Sequence, residues 1–195
     1  MDTVKPSAQF NKVVVCSGHM IDRPDQPPRF PAKKEKVVRE HIARQLETWL
    51  IGTEDLGICG GARGADILFA ECCIERGAQV HLFIPLPEDE FIQRSIHLPG
   101  SNWEARYYAL VGHPSITKYF QEEQMGAPPR HVSVFARNND WIVNTARLES
   151  RTGKFFAILV WDEQPTGIGP GGTSDLAAKI QELGGEIVII NPTQL

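Results

Sequence analysis

Two glycine-rich stretches and one short turn hold the residues of this chain whose types and spacing could do chemistry. The first stretch is Gly60-Gly61-Ala62-Arg63-Gly64-Ala65-Asp66. It follows the apolar run Leu56-Gly57-Ile58-Cys59 and precedes a segment with helical apolar spacing that ends at Gly77. A glycine turn from a strand into a helix leaves backbone N–H groups unpaired and pointing one way. The helix dipole adds partial positive charge there, so a phosphate fits. Gly60, Gly61 and Gly64 can take positive φ and let a ligand approach the backbone. Arg63 could add a bidentate anion contact, and Asp66 would either cap the first turn or reach a ribose hydroxyl. The second stretch is Gly169-Pro170-Gly171-Gly172-Thr173-Ser174-Asp175, again between an apolar run and a helical one. Here Thr173 or Ser174 would cap the helix, and their hydroxyls or N–H groups could hold a phosphate. One such loop reads equally well as a ligand-free tight turn. Two in one chain favour a ligand site.

The short turn, Ser17-Gly18-His19-Met20-Ile21-Asp22, leaves a β-branched run. His19 could donate to a phosphate, act as acid or base, or simply bond within its loop. Asp22 could pair with Arg23 or Arg29, touch a ribose, or cap a turn. Asn139, Asp140 and Trp141 interrupt an apolar helical pattern. They read either as ligand-facing, with Trp141 stacking on a base, or as a core tryptophan beside a solvated face. Glu88-Asp89-Glu90 reads as a helix amino end. The cysteines, Cys16, Cys59, Cys72 and Cys73, lack zinc-ligand spacing and read as reduced, buried thiols, and no metal site is expected.

The elements that must position these residues alternate. Apolar runs at residues 12–16, 56–59, 79–87, 115–120, 155–161 and 186–190 read as strands. Helical spacing covers residues 34–50, 67–76, 88–98, 102–110, 132–148 and 175–183. Residues 1–11 read as a loosely held arm, and residues 121–130 as a polar loop. Residues 23–31 contain four prolines, which excludes helix and sheet interior and makes this loop a lid or a surface wrap. The alternation implies an α/β fold, Rossmann-like and three-layered (α/β/α), with a mostly parallel sheet and one domain over residues 1–195. Ligands in such sheets sit beyond the carboxyl ends of the strands, where the loops at residues 17–23, 60–66 and 162–175 fall.

The composition narrows the partners. A net charge of −4 and an isoelectric point near 5.9 argue against nucleic acid as the main partner. No apolar run approaches the roughly 20 residues of a membrane span, and the start lacks a signal-peptide core, so a cytoplasmic protein is expected.

Together, Ser17-Gly18-His19-Met20, Gly60-Gly61-Ala62-Arg63-Gly64-Ala65-Asp66 and Gly169-Pro170-Gly171-Gly172-Thr173-Ser174-Asp175 resemble the SLOG superfamily over nearly the whole chain. That Rossmann-like group includes the LOG phosphoribohydrolases, the DNA-processing protein DprA and nucleotide-sensing domains of bacterial signalling and defence. The last are the nearest in pattern. The resemblance implies a nucleotide or nucleotide-derived ligand, no other cofactor, and binding by Ser17, Gly18, His19, Gly60, Gly61, Arg63, Gly64, Asp66, Gly171, Gly172, Thr173 and Ser174. SLOG relatives often assemble, so a homo-oligomer or an effector protein is a further partner to expect. The LOG enzymes carry a Pro-Gly-Gly-x-Gly-Thr-x-x-Glu loop whose glutamate serves N-glycosidic cleavage. Here Pro170-Gly171-Gly172 runs directly into Thr173-Ser174-Asp175-Leu176, without the x-Gly pair or the glutamate. The leading expectation is therefore a nucleotide sensor or adaptor. The alternative is an enzyme acting at a nucleotide N-glycosidic bond, with Asp66, Asp175 or His19 as catalytic candidates. A DprA-like single-strand binder fits poorly with the acidic balance.

Overall fold

The computed structural model describes residues 10–164 and 171–195. Strand β1 (Val13–Gly18) is apolar at every residue up to Cys16 and lies at the centre of a parallel sheet. It pairs with β2 (Leu56–Cys59) on one side and β5 (Phe156–Val160) on the other. Beyond β2 come β3 (Gln79–Ile84) and β4 (Ile116–Phe120), and beyond β5 comes β6 (Glu186–Ile190). The order is β4-β3-β2-β1-β5-β6, all parallel. The chain builds outward from β1 in one direction, then returns to build β5 and β6 in the other. The change of direction opens a crevice beyond the carboxyl ends of β1 and β5.

Successive side chains of a strand point to opposite faces, and β1 shows why both faces are covered. Val14 and Cys16 join one core cluster, while Val13 and Val15 join the other. The first cluster takes the apolar sides of α1 (Glu35–Thr48), α2 (Ala65–Glu75) and α4 (Trp103–Val111). The second takes α6 (Val134–Glu149) and α7 (Thr173–Glu182). Two helices of one turn or so, α3 (Glu88–Phe91) and α5 (Gln121–Met125), complete the set among the described residues. This is the three-layer, Rossmann-like arrangement that the alternation implied.

The structure departs from the sequence reading in three places. The segment at residues 88–98 is not one helix. After α3 it widens into a π-helical stretch, Ile92–Ile96, closed by a bond from His97 N to Ile92 O of 2.7 Å. Single π turns cluster at functional sites, and this one presents Ser95 O to the amide of Arg63 at 3.0 Å. The polar loop at residues 121–130 begins with the helical turn α5, stopped by Gly126 at φ +70°. The end of the amino-terminal arm is not loose. Phe10 N donates to Glu149 O at 3.2 Å, Arg151 N donates to Phe10 O at 3.0 Å, and the Phe10 ring meets His81 edge-on. Residues 1–9 of that arm lie outside the described residues.

Candidate functional site

A cavity of about 340 Å³ opens beyond the carboxyl ends of the central strands. That is large enough for a nucleotide-sized ligand. Its wall takes Ser17 and Gly18 from the end of β1, Gly60 just past β2 and Pro85 just past β3. Ala62 and Asp66 come from the turn into α2, and Gly171, Gly172 and Thr173 from the turn into α7. The sequence stretches singled out for chemistry therefore do meet. Of the expected residues, Ser17, Gly18, Gly60, Asp66, Gly171, Gly172 and Thr173 line the cavity. His19, Gly61, Arg63, Gly64 and Ser174 do not. Gly169 and Pro170 of the second stretch lie outside the described residues.

The turn into α2 is held by its own interior. Gly64 has φ +90°, and a Cβ there would come within 2.7 Å of Ile21 N, so only glycine fits. That conformation sends Arg63 inward instead of toward a ligand. The side chain is 1% exposed, its Nε donates to Ile21 O at 3.2 Å, and one terminal nitrogen, Nη1, has no partner. Burial and the nearby Arg23 both lower its pKa. The amides of the turn are also largely committed. Ala62 N donates to Asp66 Oδ2 at 3.1 Å, Arg63 N to Ser95 O at 3.0 Å, and Ala65 N to His19 O at 3.3 Å. Gly61 turns its open side toward Leu82, at 3.6 Å from where a Cβ would stand.

Asp66 is 8% exposed and sits on the cavity wall. Its Oδ2 is satisfied by Ala62, but its Oδ1 is buried with no partner. Burial pushes the carboxyl up to about 7, against the opposing pull of the amides of Ala62, Gly60 and Gly61. A group poised near neutrality on a cavity wall is where binding or proton transfer is expected.

The turn into α7 is built differently. Gly171 has φ +114°, and a Cβ there would meet Phe135 Cβ at 2.5 Å, so the turn can press against α6 only with glycine in that place. Gly172 serves as the N-cap, and among the described residues no side chain caps the helix. Asn139 of α6 steadies the turn, donating from Nδ2 to Gly172 O at 3.2 Å and to Asp175 Oδ2 at 2.8 Å. Asp175 is engaged there and by Lys179 at 3.7 Å, and it does not line the cavity. Neither Thr173 nor Ser174 caps α7 with its side chain.

His19 and the proline-rich loop form a clasp beside the cavity. Asp162, just past β5, receives both Nε and a terminal nitrogen of Arg29 at 2.8 Å, and lies 3.0 Å from His19 Nε2. Arg29 first, and His19 after it, hold the Asp162 carboxyl well below the usual carboxylate range. Burial lowers the His19 pKa, partly offset by Asp162. Asp22 accepts from the amides of Arg29 and Phe30, with Phe30 fully buried. This resolves the choices left open for Asp22 and for residues 23–31. The aspartate caps a turn, and the loop folds back on the body as an anchored wrap.

Sequence reasoning missed the outer wall. Phe91, Arg94 and Ser95 come from α3 and the π turn, and Phe135, Asn138 and Ile142 from α6. Arg94 lies over the Phe135 ring at 5.7 Å and pairs with Glu90 at 2.9 Å. Asn138 donates to Phe83 O at 2.8 Å, and Asn139 reaches α7. The polar interruption of α6 was the one visible signal. Trp141 is not a base platform here: it packs edge-on against Phe83 in the second core, and Asp140 pairs with Lys179. The four cysteines are free and buried, and no cluster of metal-ligating side chains occurs among the described residues.

No protein-family model matches the chain, and no curated protein matches it significantly. Several solved structures are similar to it. TM1055, a structural genomics target, has a TM-score of 0.46 at 15% identity, covering 90% of this chain and 72% of that one. The Moco carrier protein of Chlamydomonas reinhardtii has a TM-score of 0.44 at 12% identity, covering 92% and 76%. DNA processing protein A (DprA) of Streptococcus pneumoniae has a TM-score of 0.41 at 17% identity, covering 93% and 59%. Among the described residues no helix is long and apolar enough to cross a membrane.

Proposed function

We propose that this chain binds a nucleotide or nucleotide-derived small molecule, as a cytoplasmic sensor or adaptor domain of the SLOG type in bacterial signalling or defence. Its ligand sits in the cavity beyond β1 and β5, with an anionic group at the amino end of α7. One observation carries the reading. The amino end of α7, which no side chain caps among the described residues, and Asp66, whose Oδ1 is buried without a partner, line the same cavity. Phe91, Phe135 and Ile142 supply an apolar wall for a base, and Ser17, Thr173 and Ser95 supply hydroxyls near its polar parts. A homo-oligomer or an effector protein would then read the occupied state.

The geometry refines the expectation of two equivalent phosphate cradles. Three amides of the α2 turn already have acceptors, so that turn contributes a carboxyl to the site while the α7 turn contributes N–H groups that no side chain caps among the described residues. Native mass spectrometry of the purified protein, followed by ¹⁵N amide titration with AMP, ADP and NAD, tests this. Shifts concentrated at residues 60–66 and 171–175 are expected. Shifts confined to another surface, such as the groove between Leu86 and Phe120, would overturn the assignment.

A second reading has one specific observation in its favour. Of the three catalytic candidates, only Asp66 lines the cavity, and a carboxyl held near neutrality suits a general acid at an N-glycosidic bond. His19 is tied to Asp162, and Asp175 to Asn139. With no LOG-type glutamate present, no appreciable adenine release from AMP is expected by chromatography. Release that vanishes in Asp66→Asn would establish the enzyme instead.

A further inference from the structure

We propose that Asp66 is the neutral partner of the bound anion: it donates from Oδ1 to an oxygen of a phosphate-type group held at the amino end of α7, so that the ligand and one proton are taken up together. This rests on the reading of the cavity given above and adds to it a proton requirement and a ligand class. That class is an anion with at least two free, unprotonated oxygens, one for the helix amides and one for the carboxylic acid.

One carboxyl oxygen of Asp66 has no partner. Oδ2 is occupied by the Ala62 amide, whereas Oδ1 is buried, unpartnered and on a residue of the cavity wall. An ionised oxygen left in that position would lack both water and a donor, a costly arrangement. A protonated Oδ1 instead offers a donor, and a phosphate-type anion offers acceptors alone. Bringing that anion beside an ionised Asp66 would set two negative charges in one small cavity, which favours the protonated carboxyl further. The unliganded carboxyl already titrates near 7, so little work is needed to hold the proton there.

The groups that face Asp66 leave this balance intact. From β1 and β2 come the thiols of Cys16 and Cys59, both pushed well above their ordinary range by burial and so uncharged. On its own turn, Arg63 is directed to the carbonyl of Ile21. From the π turn comes Arg94, engaged with Glu90. Around α7, Asp175 is held by Asn139 and Lys179, and on the β1 turn His19 is held by Asp162. Among the described residues none of these forms an ion pair with Asp66. The step itself is a simple one. The carboxylate takes a proton from solvent, the O–H formed donates to a ligand oxygen, and no bond in the ligand breaks.

The test compares wild type with Asp66→Asn, using inorganic sulfate, which does not titrate in this range, and AMP. The ratio of their Kd values cancels any titration of the ligand. The ratio should be flat below about pH 6 and rise toward tenfold per unit above about pH 7, reaching roughly thirtyfold by pH 8.5. A flat ratio would overturn the proposal. A ratio that falls as pH rises would do the same and would make Asp66 a carboxylate accepting a ligand hydroxyl. Should Asp66→Asn fail to fold, calorimetry of sulfate binding to wild type in Tris and in HEPES at about pH 8 counts the proton directly. Uptake near one supports the proposal and uptake near zero removes it. If sulfate shows the coupling and no nucleotide binds, the nucleotide reading fails while the proton coupling stands. If neither probe binds, both fall.

Discussion

The turns that launch α2 and α7 are both glycine-rich, both follow a strand, and both reach one cavity, yet they are stabilised in opposite ways. The α2 turn closes on itself. Arg63 is buried beneath it, Asp66 takes its Ala62 amide, and Ser95 and His19 take two more. The α7 turn is steadied from outside, by Asn139 and by the pressure of Phe135 on Gly171, and its first-turn amides have no side-chain cap among the described residues. Similar sequence thus yields one turn that carries a titratable group and another whose first amides no side chain caps among the described residues. A glycine-rich βα turn binds an anion only where the protein leaves its N–H groups unclaimed.

The largest expected effect probes the closed turn. Asp66 has a folded pKa near 7, above its unfolded value near 3.8. The folded state therefore holds a proton that the unfolded state releases between those values. Wild type should lose stability relative to Asp66→Asn as pH rises from about 4 through about 7, and no further above that. The linkage corresponds to about 4 kcal/mol at most. Chemical denaturation of the two proteins at several pH values reads it, and parallel curves would mean that Asp66 is ionised throughout.

Arg63 comes next. Arg63→Ala should cost about 3 kcal/mol of stability, because it opens a void and removes the anchor to Ile21. Arg63→Met, which restores volume without charge, should recover most of it. A ligand-contacting arginine would behave otherwise, with both variants stable and nucleotide binding losing its salt dependence. On the open turn, Asn139→Ala should cost about 2 kcal/mol through two lost hydrogen bonds, with hydrogen exchange quickening at residues 171–175. Unchanged exchange there would show that α7 does not depend on α6 for its entry angle.

How far the sequence foretold this site depends on the range of the interaction. The six strands were readable because β-branched runs such as Val13-Val14-Val15 stand out locally, and the glycine turns because strand, glycine and helix follow one another. The direction of Arg63 was not readable, since it follows from φ +90° at Gly64 and from the approach of Ile21. Nor was the clasp between Arg29 and Asp162, whose partners lie far apart in sequence. The outer wall depends on how α6 crosses the sheet. Asn138 and Asn139 were visible as polar residues in an apolar helix, while Phe91 and Phe135 looked like any core residue. The π turn was hidden too, because its widening serves Ser95 and leaves no mark in composition.

In the proposed complex the amides at the start of α7 hold the ligand's anion, and Thr173 allows that to be tested at a single atom. Thr173 is the first helical residue after an extended Gly172, a position that accepts proline without disturbing the helix. Thr173→Ala removes the hydroxyl, and Thr173→Pro removes the hydroxyl and the N–H together. Calorimetric titration of both variants with AMP isolates that one amide. Matched thermal stability is expected, with Thr173→Pro binding about tenfold more weakly than Thr173→Ala, or about 1.5 kcal/mol for one charge-assisted hydrogen bond. Equal affinities in two equally stable variants would contradict it.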